Sequence, residues 1–562
     1  MKRYLITSAL PYINGIKHLG NLVGSLLPAD VYARYLRQQG EDVLYICGTD
    51  EHGTPAEIAA QDNGLSAEQY CQVMYEKQKV IYEKFNIKFD YFGRSSSLVN
   101  HRLTQEIFEQ LDKNGFIEEK EITQVYSLDD KRFLPDRYII GVCPHCNYEK
   151  AKGDQCDGCG HLLDPTELKN PRSVISGSSN LEVRLTPHLF FKLSLFENAV
   201  AEWVDSHQNW PVVTKSIAYK WIKEGLQDRC ISRDLEWGVK IPKKGYEDKV
   251  FYVWFDAPIA YISMTKEWAD IVENDENAWK KWWKNNLDEV VYVQFMAKDN
   301  VPFHTVFWPA VMLGTKEKWK FADQIKGFNW LTYSGGKFST SEKRGVFSDV
   351  ALELFPSDYW RYYLLANAPE SSDSDFNFKS FGSVVNKDLA DVLGNFVNRV
   401  MALVKKHFDG QVPSYSVVQS DNLFSACDAE LKQLESNITE LKFRQAMQSL
   451  RNLWVIGNEY ITKEEPWKKI KLDQLAAANV LANCLHLIRI FAITSAPFIP
   501  DIAGRLFLIF DESGSPADIS FKDVLKFDFL IPGQKLFFVD ENLINKIPDE
   551  KIDELTAKFS GS

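Results

Sequence analysis

The chain has 562 residues, 45% of them hydrophobic and 25% charged, with a formal net charge of −12. Those proportions suit a globular protein of three to four domains at roughly 150 residues each, and the acidic balance argues against a general nucleic-acid coat while leaving room for a local RNA-binding face. There is no run of about 18 uncharged apolar residues and no secretory leader after Met1-Lys-Arg3, so the expectation is a soluble, intracellular protein with neither a membrane nor DNA as partner.

Residues 3–7 are β-prone and lead into Ser8-Ala-Leu-Pro-Tyr-Ile-Asn-Gly-Ile-Lys-His-Leu-Gly-Asn21, after which apolar residues recur at helical spacing over 22–36. A strand, a tight loop and a helix N-terminus aim free backbone N–H groups and the positive end of a helix dipole at one spot, which suits phosphate. His18, Gly20 and Asn21 stand at that helix start; an ordinary turn with a satisfied histidine would account for the same residues. Pro28 predicts a kink or a shorter helix. A second buried strand over 41–48 ends in Gly48-Thr-Asp-Glu-His-Gly-Thr-Pro55. Ligands of open parallel sheets bind beyond the carboxyl ends of strands, so Asp50, Glu51 and His52 form a second candidate group. Helices follow over 67–85 and 100–114, with Gly115 as a stop.

Residues 116–250 mix short strands, turns and prolines, as an inserted domain would. Nine cysteines are too sparse for a disulfide framework, but four cluster here as Cys143-x2-Cys146 and Cys156-x2-Cys159, nine residues apart. Each pair can form a tight knuckle, with Gly158 and Gly160 supplying left-handed turns. Four thiolates make a closed tetrahedral Zn²⁺ site, structural rather than catalytic; two disulfides or free thiols are the alternatives. His145 and His161 read as surface residues.

Parallel-sheet character returns over 251–325. A strand over 249–255 ends in Asp256-Ala-Pro-Ile-Ala-Tyr261, and another over 289–297 ends in Lys298-Asp-Asn-Val-Pro-Phe-His304. A sheet begun before 115 and resumed after 250 implies a discontinuous nucleotide-binding domain. Within 326–385, Ser334-Gly-Gly-Lys-Phe-Ser-Thr-Ser-Glu-Lys-Arg-Gly345 reads either as a mobile cationic loop that closes over phosphates or as a solvated basic turn. Residues 386–535 carry repeated helical patterns, as over 436–460 and 472–495, and form a bundle. Asn395 and Arg399 share a helical face, and Trp467 follows Pro466 at a break. A capping Asn, a solvated Arg and a core Trp would explain these three equally. The tail, 536–562, either packs back as a helix over 548–559 or frays.

Taken together these motifs resemble a known family. His18-Leu-Gly-Asn21 resembles the "HIGH" signature of class I aminoacyl-tRNA synthetases, and Lys337-Phe-Ser-Thr-Ser341 resembles their "KMSKS" loop. Residues 9–14, 48–55, 253–261 and 298–308 look like those of methionyl-tRNA synthetases in particular. The resemblance runs to Trp467 and keeps the family's order. It implies an α/β fold: a split Rossmann catalytic domain (1–115 and 251–325), an inserted connective domain with a zinc knuckle (116–250), a loop and stem-contact region (326–385), an all-α anticodon-binding bundle (386–535) and a tail (536–562). It implies ATP-dependent ligation of L-methionine to tRNA(Met), initiator and elongator, through methionyl-adenylate, in the cytoplasm.

The same resemblance assigns residues. His18, Asn21, Lys337 and Lys343 would be catalytic. Tyr12, Asn14, Gly20, Lys298, Asp299 and Ser339 would join His18, Asn21 and Lys337 on ATP, which brings Mg²⁺. Asp50 and the Leu10 backbone would hold the methionine ammonium, with Ala9, Tyr12, Trp254, Ala257, Pro258, Tyr261, Asn300, His304 and Trp308 around the side chain. Cys143, Cys146, Cys156 and Cys159 would hold one Zn²⁺. Asn395, Arg399 and Trp467 would read the CAU anticodon. Two positions depart from the pattern: Thr340 stands where the loop has its second lysine, a charge that Lys343 could replace, and Asn21 stands for the final histidine. A nucleotidylyltransferase would have no use for the bundle trio, a non-catalytic tRNA-binding paralogue would be expected to lose the pocket, and a leucine, valine or isoleucine enzyme would carry a larger insertion.

Overall fold

The computed structural model describes residues 2–135, 138–153, Cys156, Cys159, Leu163, 165–338, 344–416, 421–527, 529–538 and 543–559. Strand β1 (Arg3–Ser8) is followed, after the turn, by one helical turn at Leu19–Asn21, a π-helical turn at Leu22–Leu26 and helix α1 (Leu27–Gln38). Pro28 lies within one continuous helical run from Leu19 to Gln38, just after the π-helical turn Leu22–Leu26; π-turns are a known accompaniment of irregularities in a helix's hydrogen-bond ladder. Strand β2 (Asp42–Thr49), helix α2 (Ala67–Lys84), strand β3 (Tyr91–Arg94) and helix α3 (Leu98–Lys113) complete the first run.

Strands β4 (Ile117–Ser127) and β5 (Leu181–Phe191) then form a long antiparallel ladder. Between them short strands at Ile139–Val142, Ala151–Lys152 and Lys169–Ser173 surround the cysteines. The main sheet resumes with β6 (Val290–Ala297) and β7 (Gln324–Phe328). Its order is β7-β6-β1-β2-β3, all parallel. The chain leaves β1 toward β2 and returns on the other side as β6, so β1 and β6 flank the topological switch point, where open α/β sheets bind ligands. Both faces of the sheet are covered, and β1, β2 and β6 are accordingly apolar along most of their length.

The strand expected over 249–255 is not there. Only Val250–Phe251 is extended, antiparallel to Ser232–Arg233, and Val253–Asp256 is a helical turn. The run is β-prone by composition, but its apolar side chains are needed on several sides at once. Phe255, Ala257, Ile259, Ala260 and Tyr261 are all buried, which a helical path allows and a strand does not.

Strand β8 (Leu331–Tyr333) turns through Ser334 and Gly335, at φ +45° and +76°, into Gly336–Lys337. Helices α4 (Asn395–His407), α5 (Phe443–Glu464) and α6 (Gln474–Ser495) carry the bundle. The helical pattern over 436–460 is broken at Leu441, which sits at φ +58°, so two helices occupy it. Helix α6 is long and apolar enough to cross a membrane, yet 89% of that window is buried in the bundle core. Helix α7 (Asp549–Lys558) packs on the helix Phe378–Val384, and the Tyr333 hydroxyl donates to the carbonyl of Phe559. Arg361, fully buried, joins the α/β part to the bundle. It donates to Asp30 of α1 at 2.8 Å and to the carbonyls of Phe85, Pro497 and Phe498.

Candidate active site

The loop after β1 and the loop after β2 are laced together. Ile13 N–H donates to the Asp50 carbonyl and Asp50 N–H to the Pro11 carbonyl, each at 2.9 Å. The lacing holds the Asp50 side chain in the interior, where its Oδ1 has no hydrogen-bond partner among the described residues. Burial and the nearby Asp256 carboxylate push the Asp50 carboxyl well above its usual range.

His18 caps the helix that follows. Gly20 N–H donates to His18 Nδ1 at 3.1 Å, and His18 N–H donates to Asn21 Oδ1 at 3.2 Å, a reciprocal capping box. Because Nδ1 accepts, the neutral ring carries its proton on Nε2 and presents a donor there. Burial, with Lys17 beside it, lowers the His18 pKa to about 3, so the ring is uncharged at neutral pH. His18 stacks on Phe338 of the cationic loop, with centroids 4.7 Å apart. The far end of that loop is pinned to the same turn: Leu19 N–H donates to the Val346 carbonyl, and Ser348 N–H to the Lys17 carbonyl. The two signature segments, distant in sequence, thus meet. Lys337 is described in its backbone alone, while Ser339, Thr340 and Lys343 lie outside the described residues, as do Gly158, Gly160 and His161.

Two cavities share a wall at the switch point. The larger, about 1010 Å³ and open to solvent, is lined by Tyr12, Lys17, His18, Gly20 and Asn21 on one side and by Asp299, Asn300, Trp330, Thr332 and Phe338 on the other. The smaller, about 230 Å³, is lined by Asp50, Trp254, Ala257, Pro258, Tyr261 and His304; Ala9, Leu10 and Asn300 border both. The large cleft is lined by the polar groups a nucleotide site uses, and the small one, lined mostly by aromatic and apolar side chains around one carboxylate, suits an amino acid side chain. In it the Asn300 carbonyl accepts from His304 Nδ1–H at 2.9 Å, which leaves Nε2 to accept from the Tyr261 hydroxyl at 3.1 Å. Burial holds the His304 pKa down at about 4, so this tautomer persists at neutral pH. Trp254 stacks on Phe303 at 3.8 Å and meets Tyr12 edge-on. An aromatic lining of this kind favours a thioether.

Some expected residues stand elsewhere. Trp308 packs behind the small cavity, 5.9 Å from Tyr261 and 6.3 Å from His304. Asn14 accepts from Lys17 Nζ at 3.0 Å and does not line either cavity. Lys298 pairs with Asp373 at 2.8 Å and lies over Trp330. Of the second candidate group, Asp50 lines one of these two cavities and Glu51 and His52 line neither. Glu51 is committed to Arg94 and Thr49, and His52 Nδ1 lies 2.7 Å from Asp256. Lys17, Trp330 and Thr332 also line the large cleft, and no local sequence signal marks them.

The four cysteine sulfurs lie within 4.8 Å of one another, Cys143 and Cys159 at 3.8 Å and Cys146 and Cys156 at 3.5 Å. A disulfide needs about 2.05 Å, so neither pairing is bonded. Tetrahedral Zn²⁺ with Zn–S of about 2.3 Å spaces its sulfurs about 3.8 Å apart, which these positions fit. In the bundle, Asn395 is exposed at the start of α4, and the Arg399 guanidinium lies 5.2 Å from the centre of the Trp467 ring.

A parallel sheet with a capped histidine turn at its switch point, facing a cation-rich hairpin and followed by a helical bundle, defines the class I tRNA synthetase architecture. A family model described as "tRNA synthetases class I (M)" matches residues 4–401, and one described as "Anticodon binding domain of methionyl tRNA ligase" matches 413–562. The chain is 54% identical over 561 residues to "Methionine--tRNA ligase 1" of Acaryochloris marina and 52% identical over 573 residues to "Methionine--tRNA ligase" of Streptomyces avermitilis, each alignment covering 100% of both chains. It belongs to the methionine–tRNA ligase family. Among solved structures it shares the fold of the Mycobacterium tuberculosis methionyl-tRNA synthetase in complex with methionyl-adenylate, with a TM-score of 0.77 at 24% identity over 97% of this chain and 100% of that one.

Proposed function

We propose that the chain joins L-methionine to tRNA(Met) in two steps carried out at the shared wall of the two cavities. The observation that carries the reading is that wall: Ala9, Leu10 and Asn300 border both the small aromatic cavity and the large cleft capped by His18. In the first step a methionine carboxylate oxygen attacks the α-phosphorus of ATP and pyrophosphate leaves. In the second the tRNA terminal 2′-OH takes the acyl group and AMP leaves. No protein nucleophile is required, so the protein contributes positioning and stabilisation of phosphate charge.

In this reading Asp50 receives the methionine ammonium, the Leu10 backbone assists, and Tyr12, Trp254, Ala257, Pro258, Tyr261 and His304 enclose the thioether, with Trp308 behind. His18 Nε2–H and Asn21 donate to phosphate oxygens, and Gly20 leaves room for them. Asp299 and Asn300 seat the nucleoside, and Lys298 holds the cleft rim through Asp373. Lys337, Ser339 and Lys343 close the hairpin over the β- and γ-phosphates. Mg²⁺ enters on the ATP phosphates; apart from the cysteines, the described residues offer no cluster of three ligands to hold it. Zn²⁺ on Cys143, Cys146, Cys156 and Cys159 ties the knuckle together and takes no part in the chemistry.

Asn395, Arg399 and Trp467 read the CAU anticodon, common to initiator and elongator tRNAs, by stacking and hydrogen bonds to splayed bases. The domain divisions given by the sequence describe the working parts, and the site of action is the cytoplasm. Aminoacylation of both tRNA(Met) species by the purified chain tests the reading; charging of neither, with methionine and ATP present, overturns it.

A further inference from the structure

One buried cation of the large cleft is not used by the proposed reaction. Lys17 lies on the turn between β1 and His18, lines the cleft, and is 5% exposed. Its Nζ donates to Asn14 Oδ1 at 3.0 Å, and among the described residues it makes no ion pair. A buried ammonium with one neutral acceptor is costly unless an anion comes to it. Lys17 is also near enough to Asp50 for their charges to act on each other. Its partner Asn14 adjoins Ile13, whose N–H donates to the Asp50 carbonyl, so Lys17 stands on the Asp50 side of the cleft, toward the cavity that Asp50 lines. The part of ATP that must reach that side is the α-phosphate, because its phosphorus is the atom attacked.

We propose that Lys17 is a catalytic residue of adenylate formation, its ammonium binding a non-bridging oxygen of the α-phosphate. This rests on the reading of the two cavities given above. As the carboxylate oxygen forms its bond to the α-phosphorus and the bond to the pyrophosphate oxygen breaks, negative charge gathers on the non-bridging oxygens, and the fixed cation stabilises it. Pyrophosphate leaves with the bonding electron pair. No proton is transferred, and Lys17 stays an ammonium throughout. The turn is held for this task from behind, by Ser348 N–H on the Lys17 carbonyl.

The test is methionine-dependent ATP–pyrophosphate exchange by the full chain as wild type, Lys17→Met and Lys17→Arg, with methionine binding measured separately by equilibrium dialysis without ATP. Loss of a transition-state donor predicts that Lys17→Met lowers exchange kcat by about 100-fold, while methionine binding is unchanged and Lys17→Arg recovers part of the rate. The pH profile adds a readout that a merely structural lysine would not move. Burial lowers the Lys17 pKa to about 7 in the free enzyme, so wild-type kcat/KM for ATP falls as pH rises past about 7. The limb disappears in Lys17→Arg, whose guanidinium stays charged. Among the described residues, the other titratable groups at Lys17 are Asp50 and His18, with Tyr12 and Asp299 lining the same cleft; ionising Asp50 favours methionine, His18 titrates near 3, and any limb from these groups would persist in Lys17→Arg. The segment 346–348 packed on the turn, Val346-Phe347-Ser348, brings no charge. Wild-type exchange rate in Lys17→Met, or an alkaline limb that persists in Lys17→Arg, overturns the proposal. If Lys17→Met does not fold, the arginine variant and the pH limb still decide. No methionine-dependent exchange by the wild type overturns the underlying reading instead, and the proposal with it.

Discussion

His18 and Phe338 stack with their rings 17° from parallel, one at the tip of the turn after β1 and the other on the hairpin after β8. The stack joins the two halves of the proposed phosphate clamp directly. The hairpin returns through Gly345 at φ +112°, where an added Cβ would lie 2.1 Å from the Phe338 ring.

Removing the ring should loosen the clamp without touching the amino acid cavity. Phe338→Ala is expected to lower exchange kcat by about tenfold, the factor that 1.4 kcal/mol of lost transition-state stabilisation gives, with KM for methionine unchanged. Because Phe338 acts through His18, the double variant with His18→Ala should be no slower than His18→Ala alone. Steady-state exchange kinetics on the four proteins check this; additive losses would show that the stack transmits nothing.

Asp50 sets function against stability. Its carboxyl is held above its ordinary range by burial and by Asp256, so the folded state binds its proton more tightly than the unfolded chain. Stability therefore falls as pH rises above the unfolded value near 3.9, and at pH 7.5 the carboxyl destabilises the fold relative to a neutral isostere. Asp50→Asn should raise Tm at pH 7.5 and weaken methionine binding by roughly 10- to 150-fold, as expected for losing a charged hydrogen bond worth about 1.5–3 kcal/mol. Calorimetry and equilibrium dialysis on the same preparation read both signs. A lower Tm in Asp50→Asn would contradict the linkage.

The knuckle should contain one zinc ion per chain. Its ligands hold together short strands that pair over few residues, such as Ile140 and Gly141 against Lys152 and Ala151, so its order depends on the metal. Cys143→Ser is expected to abolish stoichiometric zinc by atomic absorption and to raise hydrogen exchange over residues 139–173. Adenylate formation should survive better than aminoacylation, since neither cavity includes a knuckle residue. A fully folded knuckle in the metal-free protein would refute this.

Trp467 and Arg399 should act on tRNA and not on adenylate. Base stacking is worth about 1–3 kcal/mol per base, so Trp467→Ala is expected to reduce kcat/KM for tRNA(Met) by roughly 5- to 150-fold while leaving exchange at its wild-type rate. Side-by-side charging and exchange assays separate the two effects. Equal losses in both would mean that Trp467 supports the fold.

The sequence made some of this legible and not the rest, for physical reasons. The β1 turn could be read because its glycine, its cap residues and the helical pattern behind it are local. The four cysteines could be read because ligand spacing is local too. The strand expected over 249–255 failed because long-range packing outweighed a β-prone composition: Phe255 to Tyr261 are buried on several sides. Lys17 does not stand out in the sequence because its burial depends on segments far along the chain, residues 346–348 among them. The commitment of Glu51 to Arg94 was equally invisible, since the two approach only across the β2–β3 pair.

The most direct test of the central claim is amino-acid-dependent ATP–pyrophosphate exchange with the unmodified chain. The shared wall of the two cavities predicts exchange that depends on methionine and is not supported by leucine, isoleucine or valine. Exchange driven by one of those residues and not by methionine, or no exchange at all, would contradict it.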